Sequence, residues 1–283
     1  MAKTKPRILD THAHLDSKVY ERDLDIVIKH ALDDGVWIVT VGNDYLSSVR
    51  AVSIAEKYPE GVYAAVGLHP LRIGAAVLAE DKLIDIGKFD ALARHPKVVA
   101  IGETGLDYHD LPEGRRGGSE HQIAERIKVN QMKVFARFLE LSRELRLPLM
   151  LHCREAHDEM LKLLETWDRA TSGFDSRGVV HCFSGNWKQA RKYFNLDFMI
   201  SVTGIVMHGG YQSELLKKAP LGRLVAESDC PYLTPEPFSL RRNEPSYVTT
   251  VAASLAGMRK LSVREVEKQF AENAMSVFKK IPR

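Results

Sequence analysis

Eight short apolar runs, separated by longer stretches of helical period, constrain this chain more than any other feature. They fall at 7–14, 36–42, 61–67, 98–105, 147–152, 179–183, 198–204 and 224–229. Most are near-continuous hydrophobic segments without polar alternation, as expected of parallel strands covered on both faces. The segments between them repeat apolar residues at i, i+3, i+4 and i+7. Leu24, Val27, Ile28, Ala31 and Leu32 form one stripe, closed by Gly35, which supplies a left-handed cap. Met132, Phe135, Ala136 and Leu139 form another, and Met160, Leu163, Leu164 and Trp167 a third. After the last run come Val248, Val251, Ala252 and Leu255, then Val263, Val266, Phe270 and Val277.

Eight strands alternating with helices over 283 residues predict an α/β fold, a (β/α)8 TIM barrel built as a single domain over 1–283. A doubly wound open sheet satisfies the same alternation, because strand order and closure are not readable from one sequence. The 45% hydrophobic content suits a full core. With 40 Lys+Arg against 37 Asp+Glu, the net charge of +3 is too small to predict nucleic-acid binding from the global field, so an anionic substrate must be held locally. The basic start runs into Ile8 without an apolar h-region, and charges interrupt every hydrophobic run, so neither a signal peptide nor a membrane span is expected. Three cysteines, Cys153, Cys182 and Cys230, make no C-x-x-C pair. They fit a reducing compartment and a soluble cytoplasmic protein, with no obligate protein partner expected.

Chemistry-capable residues gather at the C-terminal tips of the predicted strands. His12 and His14 end the first, His69 the third, Glu103 the fourth, His152 and Arg154 the fifth, His181 the sixth and Asp229 the eighth. In a closed barrel these tips share one face. On an alternating strand, Asp10, His12 and His14 project to one side, where two imidazoles can chelate one ion. Taken singly, a polar residue at a strand end is more often structural than a ligand. Six converging ionisable groups, however, are costly to bury unless paired or coordinated. His12, His14, Glu103, His152, His181 and Asp229 offer nitrogen and oxygen donors, which suit zinc, manganese, cobalt or nickel better than calcium; magnesium favours oxygen ligation. Six donors exceed one ion and suit two, with a carboxylate able to bridge. Each cysteine directly follows a proposed ligand, so alternation turns it away into the packing.

Other residues carry two readings each. Asp10 either orients an imidazole or fixes a strand end. Tyr108, Phe183, Trp187 and Tyr232 either stack on bases or pack under loops. Arg241 and Arg242 either hold a phosphate or form a solvated pair. The connection from Tyr108 to about residue 127 reads as a long polar loop, Gly-rich and basic at Arg115 and Arg116. Within it, 109–122 either closes over a phosphate backbone or is passive surface.

Several motifs together resemble one known family. Asp10-Thr-His-Ala-His14, Gly67-Leu-His-Pro70, Gly102-Glu-Thr-Gly-Leu-Asp-Tyr108, His152-Cys-Arg-Glu-Ala156, His181-Cys-Phe-Ser-Gly185, Glu227-Ser-Asp-Cys-Pro-Tyr232 and Asn243-Glu-Pro245 look like the ordered signature of the TatD-type metal-dependent deoxyribonucleases, within the amidohydrolase-like superfamily. The resemblance implies that His12, His14, Glu103 and Asp229 hold one ion, and that Glu103, His152 and His181 hold a second, with Glu103 as bridge. It implies that His69 and Arg154 face substrate phosphate and that Asn243 and Glu244 build the rim. Cys153 stands where serine is common in the family, and the insert around Arg115 is longer than the family pattern. The implied activity is phosphodiester hydrolysis at DNA ends, 3′ to 5′ on single strands, with two divalent ions (zinc, manganese or magnesium). Asp229 and Glu103 are the expected catalytic pair, Asp229 also taking the water proton. Relatives assigned to D-aminoacyl-tRNA keep a deacylase, or another ester or amide hydrolase of the same fold, as the alternative.

Overall fold

The computed structural model describes residues 5–75, 84–169, 177–204 and 211–282. Each predicted run overlaps one strand, with β4 and β5 extending two residues past theirs and β6 starting one residue earlier: β1 (Ile8–Ala13), β2 (Val36–Val41), β3 (Val62–Val66), β4 (Val98–Asp107), β5 (Leu149–Arg154), β6 (Gly178–Val180), β7 (Phe198–Val202) and β8 (Leu224–Ala226). The eight strands pair in sequence order, and β8 closes in parallel on β1 through Asp10 and Ala226. Closure decides for the barrel over the open sheet. The described helices are α1 (Leu24–Asp33), α2 (Tyr45–Glu56), α3 (Ile86–Ala93), α4 (Ser119–Leu145), α5 (His157–Arg169), α6 (Trp187–Asn195), α7 (Tyr211–Lys218), α8 (Val248–Arg259) and α9 (Val263–Val277). Among the described residues no helix is long and apolar enough to cross a membrane.

Every strand contributes to a packed layer inside the barrel: Leu9, Val39, Tyr63, Val99, Met150, Val179, Met199 and Val225 meet there. Ala274, Val277, Phe278 and Ile281 join the same cluster from α9 and the turn beyond it. Lys280 Nζ donates to His95 O, just ahead of β4, so this plug seals the N-terminal end of the barrel. The ionisable strand tips stand at the opposite, C-terminal end. Burial of each large side chain in such a layer contributes about 1.5–3 kcal/mol.

Two local features depart from the simple pattern. Leu9 lies in the interior layer, so strict alternation would turn His12 outward. The β1–β2 register shifts between Asp10 and Ala13, which resets the parity and brings His12 to the inner side. Asp10 consequently orients no ring: its carboxylate accepts from Ser228 N at 2.8 Å, Ser228 Oγ at 2.6 Å and His12 N at 3.3 Å, tying β1 to the loop after β8. The second departure is α4, which starts at Ser119 inside the stretch read as loop to about residue 127. Its first turns are polar helix formers with Glu120 at the N-terminus, and burial begins at Ala124, so the apolar period is weak there. Its buried stripe is Gln131, Val134, Phe135, Phe138 and Leu139, whereas the expected Met132 and Ala136 are half-buried. Gln131 turns inward because its amide accepts from Asp107 N at 2.9 Å and donates to Asp107 O at 3.1 Å.

Gly105 pairs with His152 across β4 and β5 at a φ of 146°, and a Cβ built there would lie 2.0 Å from His152 O. Gly257, on the exposed side of α8, has nothing within 4 Å of such a Cβ. The same substitution should therefore act in opposite directions. Gly105→Ala is expected to lower unfolding stability by about 3 kcal/mol or more, and Gly257→Ala to raise it by about 0.5–1 kcal/mol. Urea denaturation of both variants checks this, and equal effects would refute the close-approach argument.

Candidate metal centre

The strand tips bring seven side chains to one place. His12 stands next to last in β1 and His14 follows the strand, His69 follows β3, Glu103 and His152 stand in β4 and β5, His181 follows β6, and Asp229 lies in the loop after β8. Glu103 sits at the middle, with only 2% exposure. Its Oε2 is 3.4 Å from His12 Nε2 and 3.8 Å from His14 Nε2. Asp229 Oδ1 lies 3.9 and 3.6 Å from the same two nitrogens. The other Glu103 oxygen, Oε1, is 2.9 Å from His152 Nδ1, 3.4 Å from His69 Nε2 and 3.6 Å from His181 Nε2. One carboxylate thus faces two separate sets of donors.

The donor set fits a divalent cation. His12 Nε2 and His14 Nε2 approach to 3.1 Å, as do His69 Nε2 and His152 Nδ1. Two imidazole nitrogens facing each other share at most one proton, whereas a cation accepts both lone pairs. Burial, reinforced by the neighbouring His181, drives His12 down to about 3 and so keeps it neutral, the form that ligates. Burial opposes ionisation of Glu103, yet His69, His12 and His181 together hold it well below the usual carboxylate range. Burial pushes Asp229 up to about 6 against the pull of His181 and His14. His181 goes the other way: burial disfavours its charge, but Glu227, Glu103 and Asp229 raise it to about 10. That excess of negative charge is what a cation neutralises. Cys153 and Cys230 are buried and Cys182 is half-buried; burial raises Cys153 to about 12 and Cys182 well above the usual thiol range, which disfavours the thiolate form that ligates.

Two carboxylates that carried no role in the sequence reading complete the centre. Asp107 Oδ2 lies 2.7 Å from His152 Nε2, and Glu227 Oε1 lies 2.8 Å from His181 Nδ1. Glu227 pairs with the His181 ring by charge while Nε2 turns to Glu103, and Asp107 takes the N–H of His152 and leaves Nδ1 aimed at Glu103. Val41 O does the same for His14, at 3.1 Å from Nδ1. Asp107 was detectable, standing four residues after Glu103 on the same strand face; Glu227 precedes Asp229 by two and is fully buried.

The expected substrate contacts divide. His69 belongs to the cluster itself. Arg154, two residues beyond His152, reaches a neighbouring cavity of about 540 Å3 and lies 3.9 Å from Asp110. Tyr108 is half-buried beneath Lys128, whose Nζ stands 5.3 Å from the ring centroid. Asn243 does not face the cleft: it is fully buried, its Nδ2 donating to Ser228 O at 2.7 Å and to Tyr232 O, its Oδ1 accepting from Glu244 N at 2.9 Å. With its amide used on both sides, it holds the loop after β8. Glu244 is likewise engaged, 3.2 Å from Arg242, which also pairs with Asp23 at 2.7 Å. Arg242 is therefore a structural tie, and the Arg241 guanidinium lies 5.9 Å from the Phe238 ring centroid. Phe183 is buried against His157 and Tyr193, and Trp187 packs on Phe194, as their packing readings required. Arg115 and Arg116 are exposed in the turn before α4. The cleft above the cluster measures about 390 Å3, with Asn43, Leu71, Arg72 and Tyr232 on its lining.

Comparison with known proteins agrees with this geometry. A family profile described as TatD related DNase matches residues 9–279. The chain is 36% identical over 275 residues to YabD of Bacillus subtilis (strain 168), named an uncharacterized metal-dependent hydrolase, covering 96% of this chain and 99% of that protein. It is 33% identical over 279 residues to the 3′-5′ ssDNA/RNA exonuclease TatD of Klebsiella pneumoniae (strain 342), covering 96% and 97%. Among solved structures, the TatD homologue YJJV of Escherichia coli K12 superposes with a TM-score of 0.80 at 29% identity, covering 96% of this chain and 98% of that one.

If Asp107 and Glu227 fix imidazole tautomers, alanine at either position should weaken metal affinity by about 10–100-fold. Asp107→Asn, which keeps an acceptor oxygen, should lose less. Competition with a chromophoric chelator measures the affinity, and unchanged binding in both alanine variants would leave these carboxylates without that role.

Proposed function

This chain belongs to the TatD-related DNase family of metal-dependent hydrolases, and we propose that it removes nucleotides from the 3′ end of single-stranded DNA, with two divalent ions held across Glu103. The observation that carries this reading is the division of the Glu103 carboxylate, Oε2 toward His12 and His14, Oε1 toward His152, His69 and His181. On this reading His12, His14 and Asp229 complete one site and His152 and His181 the other. Nitrogen-rich donors favour zinc or manganese over magnesium.

Divalent ions held by these residues would supply a lowered pKa for water and positive charge to offset that of a phosphoryl group. The residues supply the rest. Asp229, on the cleft lining with Oδ1 turned to His12 and His14, is suited by position to take the proton that attacking water gives up. His69 stands at the edge of the cluster toward the cleft, where it meets a non-bridging phosphate oxygen. Arg154, farther out, serves the strand beyond the scissile bond. A cleft of about 390 Å3 lies at the small end of ligand sites, about 300–1,000 Å3, which supports entry of one nucleotide unit. The name of the Klebsiella relative supports the same polarity and strandedness. Three cysteines without disulfides support a cytoplasmic setting.

Purified protein should lose hydrolysis of 3′-end-labelled single-stranded DNA on chelation and regain it with manganese or zinc. Circular single strands should resist cutting; equal cutting of circles and linear strands would exclude an end-dependent enzyme. If DNA is untouched while D-aminoacyl-tRNA is hydrolysed, the activity is that of a deacylase. Elemental analysis tests the bridge: Glu103→Ala should lose both ions and His181→Ala mainly one, and unchanged metal content in Glu103→Ala would remove the bridge.

A further inference from the structure

Two apolar side chains stand exposed on the lining of the metal cleft. Tyr232, three residues after Asp229, is 58% exposed, and Leu71, two residues after His69, is 56% exposed. Strand order sets the loops after β8 and β3 on either side of the β1 and β2 tips, so His14 and Asn43 form the floor between them. Tyr232 is held in place. Its ring stands edge-on to His14 with centroids 6.0 Å apart and planes at 70°, its N–H donates to Asp229 O at 2.9 Å, and its carbonyl accepts from the buried Asn243 amide. Arg72, beside Leu71, is the one Lys or Arg on this lining, and Asp44 comes no nearer to it than 4.0 Å.

We infer that Tyr232 and Leu71 form a pocket for one unpaired nucleobase, that of the nucleotide at the strand end, with Arg72 meeting an adjoining phosphate. The inference rests on the nuclease reading and names how that site takes its substrate. An aromatic ring and an aliphatic side chain on the lining of one cleft offer contact to the π-face of any base, which makes binding sequence-tolerant. A cleft of about 390 Å3 has room for one base and not for a base pair with its strands, so the pocket selects single strands by size rather than by reading a base edge. The cavity on the other side of the centre is unsuited to this, because Glu155, Asp158 and Glu159 line it. Exposed apolar surface beside a buried charge cluster is otherwise a cost to the fold, and contact with a base removes it from water.

Fluorescence of 2-aminopurine, which falls when the base stacks, reads this contact directly. Metal-loaded protein is titrated into oligothymidylate carrying 2-aminopurine at its 3′ terminus and a phosphorothioate at the last linkage to slow cleavage. Wild type and Tyr232→Phe should quench the terminal probe saturably, while a probe at mid-chain stays bright. Tyr232→Ala and Leu71→Ala should each lose quenching and raise Kd about tenfold. Undiminished quenching in both variants, or equal quenching at mid-chain, overturns the pocket. Hydrolysis of DNA without terminal quenching sinks the pocket and leaves the nuclease; terminal quenching without DNA hydrolysis supports the pocket and sinks the nuclease.

Discussion

Everything at the open end of this barrel is arranged around one buried carboxylate. Glu103 has almost no contact with solvent, and an ionised group in that position needs opposing charge or coordination on every side. His12 and His14 answer one oxygen, and His152, His69 and His181 the other, from tips of β1, β3, β5 and β6. No shorter piece of the chain could assemble that set. The barrel must close before His12 and His14 of β1 can reach Glu103 of β4, and the apolar layer of Leu9, Tyr63, Met150 and Met199 packs below them.

Around this centre a second ring of polar contacts converts strand positions into ring orientations. Asp107 is pinned at its backbone by Gln131 of α4 and in turn pins His152. Glu227 accepts from Cys182 N at 2.8 Å while it faces His181, so one carboxylate sets both the loop after β6 and its imidazole. Asp10 and Asn243 do for Asp229 what these do for the histidines: Asp10 grips Ser228, and Asn243 grips Ser228 O and Tyr232 O. Such groups touch no substrate, yet small errors in them displace the ligand atoms.

The centre is asymmetric toward solvent. Over β8, β1, β2 and β3 the cleft is walled by exposed apolar residues with a single guanidinium. Over the tips of β4, β5 and β6 the surface is polar, with Arg154 and His109 among carboxylates. A substrate with an apolar ring at one end and charge along the rest meets different chemistry on the two sides.

The architecture was legible in the sequence because parallel strands buried on both faces need continuous apolar runs, and eight such runs leave little else to build. The residues that cluster around Glu103 were legible for a related reason: His12, Glu103, His152, His181 and Asp229 each interrupt or end a hydrophobic run, where an ionisable group is conspicuous. Closure was a tertiary decision, since the Asp10–Ala226 pairing joins residues from opposite ends of the chain. So was the direction of His12, which depends on a register shift that alternation does not announce. Asn243 and Glu244 were expected at the rim by their place after β8, but hydrogen-bond satisfaction put one wholly inside and bound the other to Arg242. Sequence determines which groups are available and where on a strand they fall, because periodicity and composition are local. Which of them share a carboxylate, a cavity or a proton depends on distances across the barrel, and those exist only once it is closed.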